Sequence, residues 1–176
     1  MRTAKVTVLP NDETWSAEFD KIKAEVMAAV GELAIGIEHV GSTAVPGMSA
    51  KPCIDIDVVI DADDISAVID RLAAIGYVHE GDLGIGGREA FGYDGKPHLM
   101  RHHLYVCDKD SAELYRHITF RDFLRKDPDA VRSYSAVKTR AAELFPDDID
   151  KYIEYKSPCI EELYARCGLI DKGEEK

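Results

Sequence analysis

The run Ile54-Asp55-Ile56-Asp57-Val58-Val59-Ile60 sets two acids two residues apart among β-branched neighbours. Such neighbours favour a strand, and side chains at i and i+2 of a strand point to one face. Two like charges among Ile and Val repel and lose hydration unless they open on a cleft or hold a cation. A hard divalent cation, Mg²⁺ or Mn²⁺, resolves both difficulties through oxygen ligands, and Mg²⁺ commonly bridges such carboxylates to the phosphates of a ligand. Asp55 and Asp57 are therefore the candidate metal ligands; solvated decoration of a sheet edge is the competing reading. Twelve residues separate them from Gly41 and Ser42, which end the preceding apolar run. Glycine there lets a phosphate approach the backbone, while the serine hydroxyl and nearby amides donate to it. A Gly-Ser pair alone reads as a turn, but joined at this spacing to the two acids it reads as a phosphate and metal site.

A phosphorylated ligand needs cations. Lys51 lies in the loop between Ser42 and Asp55, and Arg88 follows Gly86 and Gly87. They can meet phosphates as a point charge and as a bidentate fork, or form ordinary surface ion pairs. Thr43 continues the Ser42 loop. His39, just before it, can orient the loop by a hydrogen bond or touch the ligand. In the run Arg101-His102-His103-Leu104-Tyr105-Val106, Leu104 and Val106 face the core, so alternation turns Arg101, His103 and Tyr105 to the opposite face and toward the site. His98 and His102 read as exposed or structural. Arg121 with Arg125, and Tyr152 with Lys156, lie one helical turn apart and read as surface or structural pairs.

These residues require a scaffold of alternating elements. Trp15, Phe19, Ile22, Val26, Val30 and Leu33 recur at helical spacing, with Thr14 or Asp12 at the start. Strands are expected over Ile35 to Val40, Ile54 to Ile60, Tyr77 to His79, Glu89 to Tyr93 and Leu99 to Cys107, and a helix from Asp63 or Asp64 to Gly76. Three helices follow, roughly Ser111 to Arg125, Asp129 to Phe145 and Asp147 to Cys167. The middle one carries Val131, Tyr134, Val137, Ala141, Leu144 and Phe145 on one face. The expected architecture is α/β: a small mixed sheet flanked by helices, with a C-terminal helical cover. One domain over 1–171 and a polar, disordered tail at 172–176 are expected.

The net charge of −11 is spread along the 176 residues, which disfavours general attraction to nucleic acid or anionic lipid. A small phosphorylated ligand survives that objection, because a few placed cations and a metal overcome the global field locally. No segment reads as a signal peptide or approaches the roughly 20 apolar residues of a membrane span, so a cytoplasmic protein is expected. Cys53, Cys107, Cys159 and Cys167 form no CxxC pair, which argues against a zinc site or a disulfide framework; Cys53 and Cys107 read as small buried hydrophobes.

Gly-Ser, twelve residues, then acid-hydrophobic-acid resembles the signature of the nucleotidyltransferase superfamily. The segments His39 to Met48, Ala50-Lys51-Pro52 and Ile54-Asp55-Ile56 resemble the motif of its GrpB-like family. Gly84 to Arg88, Arg101 to Val106 and Phe120 to Arg125 extend that resemblance over nearly the whole chain. It implies a nucleotidyltransferase-like sheet with Gly41 and Ser42 at the phosphates and Asp55 and Asp57 on the metal. Members occur alone or joined to dephospho-CoA kinase. Active superfamily enzymes carry a third acid on a later strand, whereas Arg101 to Val106 offers none, and Tyr105 stands where the family often has a histidine. His103 can take the place of the missing acid, as ligand or as general base. Two functions follow: metal-dependent nucleotidyl transfer from a nucleoside triphosphate to an unknown acceptor, or a non-catalytic module that binds a nucleotide or CoA-related ligand and acts through a partner or as a folding aid.

Overall fold

A computed structural model of the chain describes residues 5–170. Five strands, β1 (Ala34–Val40), β2 (Ile54–Ile60), β3 (Tyr77–Gly81), β4 (Arg88–Tyr93) and β5 (His102–Asp108), form one sheet in the order β1-β2-β5-β4-β3. The central pair β2 and β5 is parallel and every other pair antiparallel, so the sheet is mixed. Helices α1 (Thr14–Val30) and α2 (Ile65–Ala74) cover one face; α3 (Ala112–Lys126), α4 (Pro128–Leu144) and α5 (Ile149–Arg166) follow the sheet in the chain. The α/β architecture with a C-terminal helical cover is the expected one. The tail expected at 172–176 lies outside the described residues.

Strand alternation assigns the two faces. Ile54, Ile56, Val58 and Ile60 of β2 join Ile22, Val26 and Val30 of α1 and Val68 and Leu72 of α2 in the main core. Asp55, Asp57 and Val59 therefore turn the other way, where Val59 meets Cys107 and Leu114 of α3. The register sets Asp55 against His103 and Asp57 against Tyr105 on β5, and Val40 and Glu38 against the same two acids on β1. Both aspartates thus lie on β2, flanked by β1 on one side and β5 on the other.

Three expectations need correction. The first helix ends at Val30, because Gly31 takes a positive φ of 53° and leaves Gly31–Leu33 as a separate short turn. The strand expected from Leu99 begins only at His102; Leu99 closes a turn on the Lys96 carbonyl, and β5 starts where Tyr93 Oη accepts the His102 N–H. On α4, Leu144 is 42% exposed, whereas Lys138 sits on the buried stripe with Tyr134 and Ala141. Ser111, Asp127 and Asp148 cap α3, α4 and α5 by accepting backbone N–H bonds, which fixes where each begins.

The cover grips the loop between β1 and β2. Val45 and Met48, both wholly buried, pack with Leu124, Val131, Tyr134 and Leu163. Arg125 Nε donates to the Ala44 carbonyl at 2.9 Å, Arg121 donates to the His39 carbonyl at 3.0 Å, and the Ser49 N–H donates to Ser135 Oγ at 3.0 Å. The Gly41-Ser42 loop is consequently held by the helices as firmly as by the strands.

Candidate functional site

Gly41 leaves β1 with a φ of 75°, and a Cβ there would come within 2.4 Å of Asp55 Oδ2. Only glycine permits both the turn and the approach of that carboxylate. Asp55 Oδ1 accepts a hydrogen bond from His103 Nδ1 at 3.1 Å. That bond, with a further one to Cys53, outweighs burial and holds the His103 imidazole well above its ordinary range. His103 is accordingly protonated near neutrality, which removes the free base expected of it. Cys53, expected to be buried, is half-buried and lines the same cleft; Cys107 is buried.

Asp57 is sealed from solvent, with 0% exposure. Its Oδ2 accepts from His117 Nδ1 at 2.6 Å, and its Oδ1 has no partner. His117, on α3, also lies 3.0 Å from Glu113 Oε1. Burial alone would lower the His117 pKa, but the bond to Asp57 and the charges of Asp57 and Glu113 raise it. The second aspartate is thus covered by an imidazole, where sequence reasoning put it at an open cleft.

A cavity of about 310 Å³ opens over Gly41, Ser42, Thr43 and Asp55. Lys51, Lys138 and Lys156 reach into it from the loop, α4 and α5, with Arg116 and Arg121 from α3, and among the described residues Asp55 is the one acid on its wall. Lys138 is 2% exposed and donates from Nζ to Ser42 Oγ at 2.8 Å, above the Tyr134 ring. Burial, then the charges of Lys156 and Lys51, push its pKa down to about 7. Burial and Lys51 bring Lys156 down to about 8. Lys51 and Lys156 both face the Tyr152 ring. None of the three lysines has a carboxylate ion pair among the described residues. A protein of net charge −11 thus gathers on one cavity wall three lysines without carboxylate ion pairs among the described residues.

Of the residues singled out in the sequence, Gly41, Ser42, Thr43, Lys51, Asp55 and His103 line this cavity together. His39 does not. Alternation turns it to the α1 face, where it stacks on Phe19 at 4.6 Å and its Nε2 bonds Thr43 Oγ1 at 2.9 Å, the loop-orienting role. Burial, with Arg125, depresses its pKa to about 4 and keeps it neutral. Arg88 is also absent from the larger cavity and lines a smaller one beside it. Tyr152, Lys156 and Arg121, read as surface or structural, belong to the cavity wall; Arg121 is also structural, pairing Glu38 at 2.6 Å. Lys138, Arg116 and His117 were missed. The signal for Lys138 was a lysine one turn after Tyr134 on an otherwise apolar stripe. His117 and Arg116 carried none, because their role depends on α3 crossing the sheet beside Asp57.

The profile of the GrpB protein family matches residues 5–166. The chain is 33% identical to the UPF0157 protein YqkA of Bacillus subtilis over 172 residues, 96% of this chain and 49% of that protein. It is 32% identical to the glutamate-rich protein GrpB of Alkalihalophilus pseudofirmus over 163 residues, 90% of this chain and 94% of that one. The chain thus spans about half of the first relative and nearly all of the second. The crystal structure of the conserved protein GrpB from Enterococcus faecalis is similar with a TM-score of 0.77 and 28% identity, over 91% of this chain and 98% of that one. A mutant of the Cid1 poly(U) polymerase bound to MgATP is similar with a TM-score of 0.52 and 11% identity, over 75% of this chain and 45% of that one, a likeness of fold alone. The sheet and its cover are nucleotidyltransferase-like.

Proposed function

The chain belongs to the GrpB protein family, and on that footing we propose that it transfers a nucleotidyl group from a nucleoside triphosphate to an acceptor hydroxyl. The observation that carries this reading is the cavity wall shared by Lys51, Lys138 and Lys156, none in a carboxylate ion pair among the described residues, with Lys138 bonded to Ser42. Lys138 is a cation buried without a counter-ion, which is costly, and a polyphosphate relieves it while also meeting the half-buried Lys156 and the exposed Lys51. Ser42 Oγ and the loop amides hold the β- and γ-phosphates, and the lysines neutralise them. The acceptor oxygen then bonds to the α-phosphorus as the bridging bond to the β-phosphate breaks. Pyrophosphate leaves with the electron pair toward the lysines, and the hydroxyl proton passes to solvent water.

What supports a divalent cation is that Asp57 Oδ1 is buried without a partner and that Asp55 shares its face of the strand; among the described residues no cluster of three ligating side chains stands with them. Asp55 and Asp57 would hold Mg²⁺ or Mn²⁺, with the imidazoles of His103 and His117 moving off the oxygens they now occupy. Such an ion, when bound, supplies positive charge that stabilises the pentavalent phosphorus.

The test is incubation with α-labelled ribonucleoside triphosphates, Mg²⁺ and an extract of small metabolites. Label should pass to an acceptor with equimolar pyrophosphate, and Asp55→Ala should abolish the transfer. A second reading, a module that binds a nucleotide or CoA-related ligand without turnover, is favoured by the sealed Asp57 and by His103 and Tyr105 standing opposite the acids where a third acid would be needed. Triphosphate binding with no transfer to any acceptor would decide for it.

A further inference from the structure

The second cavity, of about 230 Å³, shares Gly41, Asp55, Arg116 and His117 with the first and adds Val40, Arg88, Tyr105 and Glu113. Its wall holds an incomplete polar network. Arg88 is only 9% exposed, yet its guanidinium lies over the Tyr105 ring at 4.3 Å, its Nε has no partner, and its nearest carboxylate, Glu113, stands 4.0 Å away. Glu113 Oε1 is instead met by Arg116 and His117. Arg116 Nε is likewise buried and unpartnered, as is Asp57 Oδ1 beneath His117. Buried polar groups are nearly always satisfied in folded proteins. Among the described residues, the unsatisfied side-chain atoms all belong to this one network. Arg88 is also fixed in place: it follows Gly87, whose positive φ and close approach to Ser111, 2.7 Å from a built Cβ, press the turn onto the start of α3.

We infer that this cavity binds an anionic oxygen group, carboxylate or phosphate, on the acceptor, gripped by Arg88 and Arg116. A guanidinium short of acceptors presents a fork that matches either group. The acceptor role rests on the transfer reading above; the anion site itself does not. Because both cavities border Asp55, an acceptor anchored by this anion lies beside the carboxylate that the lysine-lined cavity also exposes.

The test is a titration of the folded protein with acetate and, separately, inorganic phosphate, followed by the side-chain Nε–H resonances of its arginines. The Arg88 resonance should move saturably with one anion, and the tighter of the two names the group. The response should persist in Lys138→Met, whereas Arg88→Lys should weaken binding of that anion by roughly tenfold or more and leave thermal stabilisation by ATP and Mg²⁺ unchanged. An Arg88 resonance unmoved by either anion in wild-type protein overturns the inference, and so does a response that disappears in Lys138→Met. Failure of ATP to bind any variant, with the Arg88 response intact, would instead remove the transfer reading and leave the anion site.

Discussion

Lys138 is an ammonium-bearing side chain folded into a site that offers it a hydroxyl and a tyrosine face but no carboxylate. Its folded pKa of about 7 lies below the roughly 10.4 of an unfolded lysine. Between those values the unfolded chain holds a proton that the folded chain has released, so this residue's contribution to stability rises with pH across that window. Below about 7 both states are protonated, and the full cost of burying the charge remains. Lys138→Met should therefore stabilise the ligand-free protein, on the order of 2 kcal/mol at pH 6 and much less above pH 10, as urea melts at the two pH values would show. An equal effect at both would mean that Lys138 is not held in a depressed state. A phosphate ligand requires the ammonium form, so affinity should fall as pH rises above neutrality. At Gly41 the expectation is steric. Gly41→Ala puts a methyl against Asp55 Oδ2 at a positive φ and should cost about 1–3 kcal/mol of stability, together with most triphosphate binding; a variant as stable as wild type would refute the close-approach argument.

At the scale of elements, the β1 to β2 loop depends on the helices that grip it. Met48 is fully buried in the cluster that joins this loop to α3, α4 and α5. Met48→Ala should lower stability by about 2–5 kcal/mol, a Tm drop of roughly 5–15 °C, and should also weaken ligand binding by loosening Ser42. Normal ligand affinity in that variant would show that the loop holds its shape without the cover. The strands and helices were largely legible from the sequence because their apolar periods of 2 and 3.6 are local. What escaped was set by tertiary contact. Leu99 to Arg101 has the composition of a strand, but Leu99 is spent on a turn with Lys96 and the pairing with β2 begins only where the Arg101 carbonyl accepts the Ile54 N–H. Lys138 breaks the stripe of α4 only because the cavity lies there. Gly41, Ser42 and Asp55, which line one cavity, are close in the chain, whereas Lys138 and Lys156 on the same wall, and the His117 that covers Asp57, come from helices far along it. His39 was ambiguous until β1 register turned it toward Phe19.

At the scale of the whole molecule, an acidic protein encloses a basic cleft. The surplus negative charge elsewhere repels polyanions, while under the proposed function the five cations that line the cavity among the described residues would favour one small anion. Binding of a triphosphate should therefore weaken as ionic strength rises, and long nucleic acids should bind weakly even at low salt. Tight salt-resistant RNA binding in a filter assay would contradict this division. Among the described residues no helix is long and apolar enough to cross a membrane.

The cleft as a polyphosphate site is the claim from which the other readings descend. The most direct measurement is calorimetric titration of ATP, GTP, CTP and UTP, each with Mg²⁺ or Mn²⁺, into wild-type protein, Lys138→Met and Asp55→Ala. At least one triphosphate should bind the wild type and, at a hundredfold over its Kd, stabilise it by about 2.7 kcal/mol. Lys138→Met should lose most of that affinity, and Asp55→Ala should lose its dependence on the metal. No binding by any triphosphate, or binding to Lys138→Met equal to the wild type, would contradict the account.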